Sequence, residues 1–351
     1  MGKSGGPVAG VLLATLLLGC VSDAAPPPAP IVDRQQGVSW VAAHQPVSDA
    51  DFERPVADGV TWIAQNPFGW QRQLDTPEIV LATGNHVMWG ESDEGLAATA
   101  RLAQARGLKT LLRPHLWLTD APDGKWLGDV AMASETDWTR WFESYRRFIL
   151  HYAELAQAER IELLSVGAEL STTTAREADW RRVIAEVRRV YSGKLTYAAN
   201  WHREFEQIRF WDALDFIGIQ AYFPLGDQER PSLEELAAAW RPHVAAIERV
   251  QRRFAKPVLF TEIGYRSAAG AAARPWEWPA RSREPAAEAE LAFQADLYEA
   301  FFRTFWDRPW FAGAYFWKWF PGLERAARPP GREFSPQNKP AENVLARWYG
   351  R

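Results

Sequence analysis

Two glutamates close short apolar runs, Ser165-Val166-Gly167-Ala168-Glu169-Leu170 and Leu259-Phe260-Thr261-Glu262-Ile263-Gly264-Tyr265. Each carboxylate lies in a stretch that would otherwise be core, where an unpaired charge costs several kcal/mol. Glycoside hydrolysis is a chemistry that needs such a pair, because one carboxyl group protonates the leaving oxygen while the other attacks the anomeric carbon. A separation of roughly 5 to 5.5 Å between the two groups makes such an enzyme retaining, whereas about 6.5 to 9.5 Å leaves room for a water and inversion. The bland alternative is a structural salt bridge from one or both glutamates to an arginine such as Arg113.

Composition narrows the substrate. The 351 residues carry 40 Lys plus Arg against 44 Asp plus Glu, a net charge of -4, with no basic stripe, so nucleic acid is not an expected partner. Nineteen Trp, nine Tyr and eighteen Phe exceed what a core of this size needs. Flat apolar faces stack on bases or on sugar rings, and the charge balance disfavours bases. The six histidines, at 44, 86, 115, 151, 202 and 243, form neither H-x-H nor H-E-x-x-H, so no metal site is expected. G-x-S-x-G is missing too, and no cofactor is implied.

The elements that must position the glutamates follow from patterning. Apolar or β-branched runs predict strands near Val38-Val41, Val60-Ala64, Lys109-Arg113, Ile161-Val166, Leu195-Ala199, Asp215-Gln220, Pro257-Thr261 and Ala312-Phe316. Amphipathic stretches predict helices near Asp93-Arg106, Glu135-Ala158, Arg176-Tyr191, Ser232-Phe254, Ala286-Trp306 and Gln337-Trp348, with shorter ones after the first and fifth strands. Gly107 and Gly193 read as helix C-caps, and the Trp138, Trp141, Tyr145, Phe148 stripe as packing. Eight strands with helical crossovers predict an α/β fold, a single-domain (β/α)8 TIM barrel over 37–351. A doubly wound sheet would need a phosphate-binding first turn, and Val41-Ala-Ala-His-Gln-Pro46 offers none. In a barrel, strand C-termini face the active site, where both glutamates then sit, at strands four and seven. Endo or exo action on a glycan would depend on whether loops such as Thr76-Ser92 and Arg266-Pro285 block one end of the cleft, and the sequence leaves both open.

The pair Gly167-Ala-Glu169-Leu and Thr261-Glu262-Ile-Gly-Tyr265 stands with Asn66-Pro67-Phe68-Gly69 and Arg113-Pro-His115-Leu-Trp117 in a recognisable order. With Pro275-Trp276-Glu277-Trp278 and Phe334-Ser-Pro336-Gln-Asn-Lys339-Pro340, these segments resemble glycoside hydrolase family 113 over about residues 37–349. The resemblance implies a retaining (β/α)8 hydrolase of β-1,4-mannan, with Glu169 as general acid/base and Glu262 as nucleophile. One departure is that the wider clan has Asn immediately before the acid/base and this chain has Ala168. Asn200 is then the expected donor to the sugar 2-hydroxyl. Tyr222 is expected either to donate to Glu262 or to be a rim tyrosine. Trp317 stands where the clan has an aromatic floor, with core packing as its alternative. Arg113 and His115 are expected as hydroxyl contacts or carboxylate partners, or Arg113 as merely structural. Trp276 and Trp278 are expected to form a sugar-stacking wall or to pack on the rim. Two rivals to this function are a non-catalytic glycan-binding lipoprotein and a hydrolase or transglycosylase for another β-glycan.

The first twenty residues read differently. Lys3 precedes the apolar run Val8 to Leu18, which stops at Leu17-Leu18-Gly19-Cys20 and is too short to span a bilayer. These four residues resemble a lipobox whose thiol, Cys20, is lipidated, the alternatives being ordinary secretion or a short uncleaved anchor. The Pro-rich stretch 21–36 reads as a tether. The expected location is the bacterial cell envelope, with the lipid anchor in the outer membrane and a polysaccharide or oligosaccharide as the other partner.

Overall fold

The computed structural model describes Met1, Gly2, Gly6 and residues 33–81, 87–278, 286–322 and 331–351. The leader, Cys20 and nearly all of the tether lie outside the described residues, as do 279–285 of the Trp-bearing loop. Eight parallel strands close a barrel: β1 Gln35–Trp40, β2 Trp62–Gln65, β3 Lys109–Leu112, β4 Leu163–Ala168, β5 Lys194–Asn200, β6 Ile217–Gln220, β7 Val258–Ile263 and β8 Phe311–Trp319. Each pairs with its neighbours in chain order, and β1 closes on β8. The first strand begins at Gln35, inside the stretch expected as linker, because the buried Gln35 side chain accepts a hydrogen bond from Tyr315 across the closing seam (2.6 Å).

Every strand is followed by a helix: α1 Glu53–Ala57, α2 Asp93–Ala105, α3 Glu135–Ala158, α4 Glu177–Val190, α5 Glu204–Gln207, α6 Leu233–Phe254, α7 Glu288–Phe305 and α8 Pro340–Tyr349. Serines start three of them, the hydroxyls of Ser92, Ser134 and Ser232 accepting from the first-turn amides of Gly95, Asp137 and Glu235. Gly107 ends α2 with φ 77°, as a C-cap glycine does. Gly193 does not cap α4, which stops at Val190; a β-carbon there would sit 2.2 Å from the Tyr191 hydroxyl, so close approach is what that glycine serves.

Strand alternation divides the core. Ile63, Leu112, Leu164 and Phe260 join the large cluster packed under the helices, whereas Ala64, Leu111, Leu163, Leu259, Ala312 and Tyr315 form a small second cluster. The period of two therefore turns the second set into the barrel lumen, where it floors the site. A three-stranded sheet, His115–Leu118 beside Phe68–Gln71 beside Ile79–Leu81, lies on the loops after β2 and β3. Patterning did not predict it, and part of the expected loop Thr76-Ser92 is strand. Runs of three and four residues are too short to show a period.

Candidate active site

Leu259 faces the lumen and Phe260 the helices, so strict alternation would turn Glu262 outward with Phe260. The register of β7 against β6 slips between Phe260 and Glu262, and the extra residue, Thr261, reverses the alternation. Glu262 thereby turns inward, opposite Gln220. Its carboxylate is buried and accepts from two donors, the Arg113 guanidinium at Oε2 and the Tyr222 hydroxyl at Oε1. Arg113 has no exposed surface and spends its other donors on Asn66 Oδ1 (2.9 Å), Gln220 Oε1 (2.7 Å) and the Thr261 carbonyl. Such an arginine cannot reach a sugar hydroxyl; of its expected roles it fills that of carboxylate partner. The fully buried guanidinium thus ties Glu262 into one network with three further acceptors.

Glu169 follows β4 at φ 56°, left-handed backbone that a non-glycine residue enters at a cost of about 1 to 3 kcal/mol. Its amide donates to the Ala198 carbonyl (2.9 Å), and the next amide, Leu170, donates to the Tyr197 hydroxyl (2.9 Å). Burial pushes the Glu169 carboxyl up to about 7, the neighbouring Glu262 charge adds to the rise, and the Asn200 amide opposes it. Asn200 Nδ2, the group expected on the sugar 2-hydroxyl, donates to Glu169 Oε1 (2.8 Å).

Sequence reasoning missed what stands behind Asn200. Glu204, buried at the start of α5, accepts from Tyr197 Oη and from the Asn200 amide (both 2.6 Å). Burial pushes its carboxyl up to about 8, against the pull of those two donors. Tyr197 thus links the backbone beyond Glu169 to the residue that seats Asn200. Within Glu204-Phe-Glu-Gln207 the glutamate reads as an ordinary first-turn helix residue, and no local signal marks it. Gln220 was likewise missed, as an ordinary strand-end amide.

Aromatic side chains ring this pair. Trp317 is half-buried, its ring 6.1 Å from and edge-on to the exposed Trp278, which also meets Phe334. Trp276, exposed as well, stacks on Trp201 at 5.2 Å. His115 is half-buried beside Phe68, and burial with the nearby Arg113 charge pulls its imidazole down to about 3, leaving it neutral. The centre therefore holds one glutamate bonded to a buried arginine and a tyrosine, one glutamate whose carboxyl burial pushes up to about 7, and an aromatic surround with a neutral His115. That constellation can transfer a proton and supply a nucleophile.

Solved structures share this architecture. The β-mannanase from Alicyclobacillus acidocaldarius, in complex with ManMIm, is 32% identical with a TM-score of 0.75, covering 91% of this chain and 98% of its own. A second β-1,4-mannanase complex is 26% identical with the same TM-score, covering 91% of this chain and 99% of its own. The Ruminococcus gnavus β-glucuronidase, at 15% identity and TM-score 0.55 over 90% of this chain and half of its own, shares the fold alone. No curated protein sequence matches. The family model for Glycoside Hydrolase Family 113 matches residues 41–335, and the chain, a glycoside hydrolase, belongs to that family.

Proposed function

We propose that the protein hydrolyses β-1,4-linked mannan or mannooligosaccharides by double displacement, with Glu262 as nucleophile and Glu169 as acid/base. The observation that carries the roles is the different surroundings of the two glutamates. Arg113 and Tyr222 both donate to the Glu262 carboxylate and aim it, whereas burial pushes the Glu169 carboxyl up to about 7. Glu262 attacks the anomeric carbon as Glu169 delivers its proton to the departing oxygen, leaving a glycosyl ester. Glu169, now a carboxylate steadied by Asn200, takes a proton from water, whose oxygen displaces Glu262 on the opposite path. Mannan as substrate is supported by the two mannanases of similar structure. The Leu17-Leu18-Gly19-Cys20 segment supports a lipid anchor at Cys20 and a place in the cell envelope.

Proton NMR of mannohexaose hydrolysis tests this reading, with the β-anomer expected as first product. Azide should rescue Glu169→Ala with a glycosyl azide of retained configuration, and give Glu262→Ala only an inverted one. An α-anomer formed first, or near-normal activity in Glu262→Ala, overturns the roles. Hydrolysis of another β-glycan but not of mannan overturns the substrate alone.

A further inference from the structure

The three-stranded sheet beside the barrel has one face packed and one open. Gly69 and Gln71 point inward: a β-carbon on Gly69 would sit 2.5 Å from the Phe148 ring, and Gln71 Oε1 accepts from Trp141 Nε1 of α3 (3.0 Å). By alternation Phe68 and Trp70 point outward, and the register sets His115 beside Phe68 and both Trp117 and Val80 beside Trp70. Five outward side chains thus make two rows, Phe68 with His115, then Val80, Trp70 and Trp117.

The rows lead out from the catalytic centre. Asn66 accepts from Arg113, which holds Glu262, and two residues further along each strand come Phe68 and His115, both half-buried. Two residues further again the outer row is open, with Trp70 36%, Trp117 55% and Val80 61% exposed. The rings run on without a gap, Phe68 to Trp117 at 6.0 Å and Trp70 to Trp117 at 6.5 Å. Past the strand ends the exposed Gln73 and Asp120 are bonded to each other (2.8 Å), amide to carboxylate.

We propose that this outer face is a glycan-binding platform, a set of distal subsites that carries the sugar units of a long substrate away from the catalytic pair along Phe68, Trp117 and Trp70. The proposal rests on the polysaccharide hydrolase reading above. Three features select a glycan over a protein partner. The strip is continuous with the cleft that binds substrate, it is narrow, and none of its five outward side chains is charged, His115 being neutral. Aromatic faces with polar groups at the end suit the apolar face and equatorial hydroxyls of a pyranose.

Trp70→Ala, Trp117→Ala and the double variant, made in the full-length enzyme, should show losses of kcat/KM that grow with substrate length. With an aryl β-mannobioside, mannotriose, mannohexaose and soluble mannan as the series, the double variant's loss on polymer should exceed its loss on the aryl glycoside by about tenfold or more, mainly through KM. Both residues are exposed, so the melting temperature should hold. Equal losses at every length, or full activity on the polymer, overturn the platform while leaving the catalytic reading intact. Full polymer activity together with altered self-association in light scattering assigns the face to a protein partner, which also overturns it. A wild type active only on another β-glycan fails the mannan reading instead, and the same length series on that glycan decides the platform.

Discussion

Glu169 is the group whose protonation the rest of the site adjusts, and pH is the way to read it. As the proposed general acid, Glu169 must hold its proton, so on that proposal hydrolysis of unactivated substrates should decline as pH rises through about 7. The Asn200 amide stabilises the ionised form, so Asn200→Ala should move that basic limb to higher pH, which a pH profile of kcat/KM measures. Stability carries the same signature with a defined sign. The folded carboxyl titrates at about 7 against an ordinary 4.5, so the native state holds a proton there that the unfolded chain has lost. The proton-bound contribution is whole below pH 4.5 and is lost as pH rises through 7. Glu169→Gln should therefore raise the melting temperature at pH 8 and leave it near wild type at pH 4. Glu204 acts through Asn200. It accepts two donors with two oxygens, and glutamine has only one oxygen to offer. Glu204→Gln should lower kcat on mannooligosaccharides about tenfold or more, lower it less on activated aryl glycosides, and shift the basic limb, a signature that mere destabilisation would not produce.

At the scale of the element, the loop after β7 carries two tryptophans, Trp276 and Trp278, with exposed indole surface. Trp276 rests on Trp201 and Trp278 stands against Trp317 and Phe334, so each loop indole is seated with part of its surface left in solvent. These rings stand on the side of the barrel opposite the accessory sheet, and under the proposed function they stack on sugar units. Trp276→Ala and Trp278→Ala should weaken binding of longer oligosaccharides more than short ones, each stack being worth about 1 to 3 kcal/mol. Isothermal titration of a length series on an inactive Glu262→Gln background reads this directly. Uniform loss at all lengths would instead report a misplaced loop. The short elements carry as much chemistry as the long ones: α5 is a single turn, yet it brings Glu204 under Asn200, and one extra residue in β7 turns Glu262 into the lumen.

For the molecule as a whole, the anchor and the catalyst should be separable. The Glu169 and Glu262 pair depends on strand register across the barrel, whereas in the sequence Cys20 is separated from β1 by the proline-rich stretch Ala24-Ala25-Pro26-Pro27-Pro28-Ala29-Pro30. Cys20→Ala should move the protein from the membrane pellet to the soluble fraction without changing kcat/KM on mannohexaose. Sedimentation with membranes after a salt wash would sink the lipid anchor. The closed ring of eight strands should itself survive Glu169→Gln and Glu262→Gln with a cooperative melt, since its core is built from residues below both carboxyl groups.

Much of this was legible in the sequence because the long elements carry their own period. The pattern expected α3 at Glu135-Ala158, where the structure has it, and all eight barrel strands fall within a few residues of their runs. The two glutamates stood out for a related reason: a charge within an apolar run is conspicuous in one dimension. Other features were settled only when distant residues met. Alternation read along Leu259-Phe260-Thr261-Glu262 puts Glu262 with Phe260, and only the register slip against β6 turns it inward. Asn200 was legible as a strand-end amide, but whether it faced a sugar or Glu169 depended on how β5 lies beside β4. Nothing local marks Glu204, or the accessory sheet whose strands are three and four residues long. Helix and strand periods are properties of neighbours in the chain, so a sequence can display them. Hydrogen bonds such as Arg113 to Glu262, 149 residues apart, exist only once the barrel has closed.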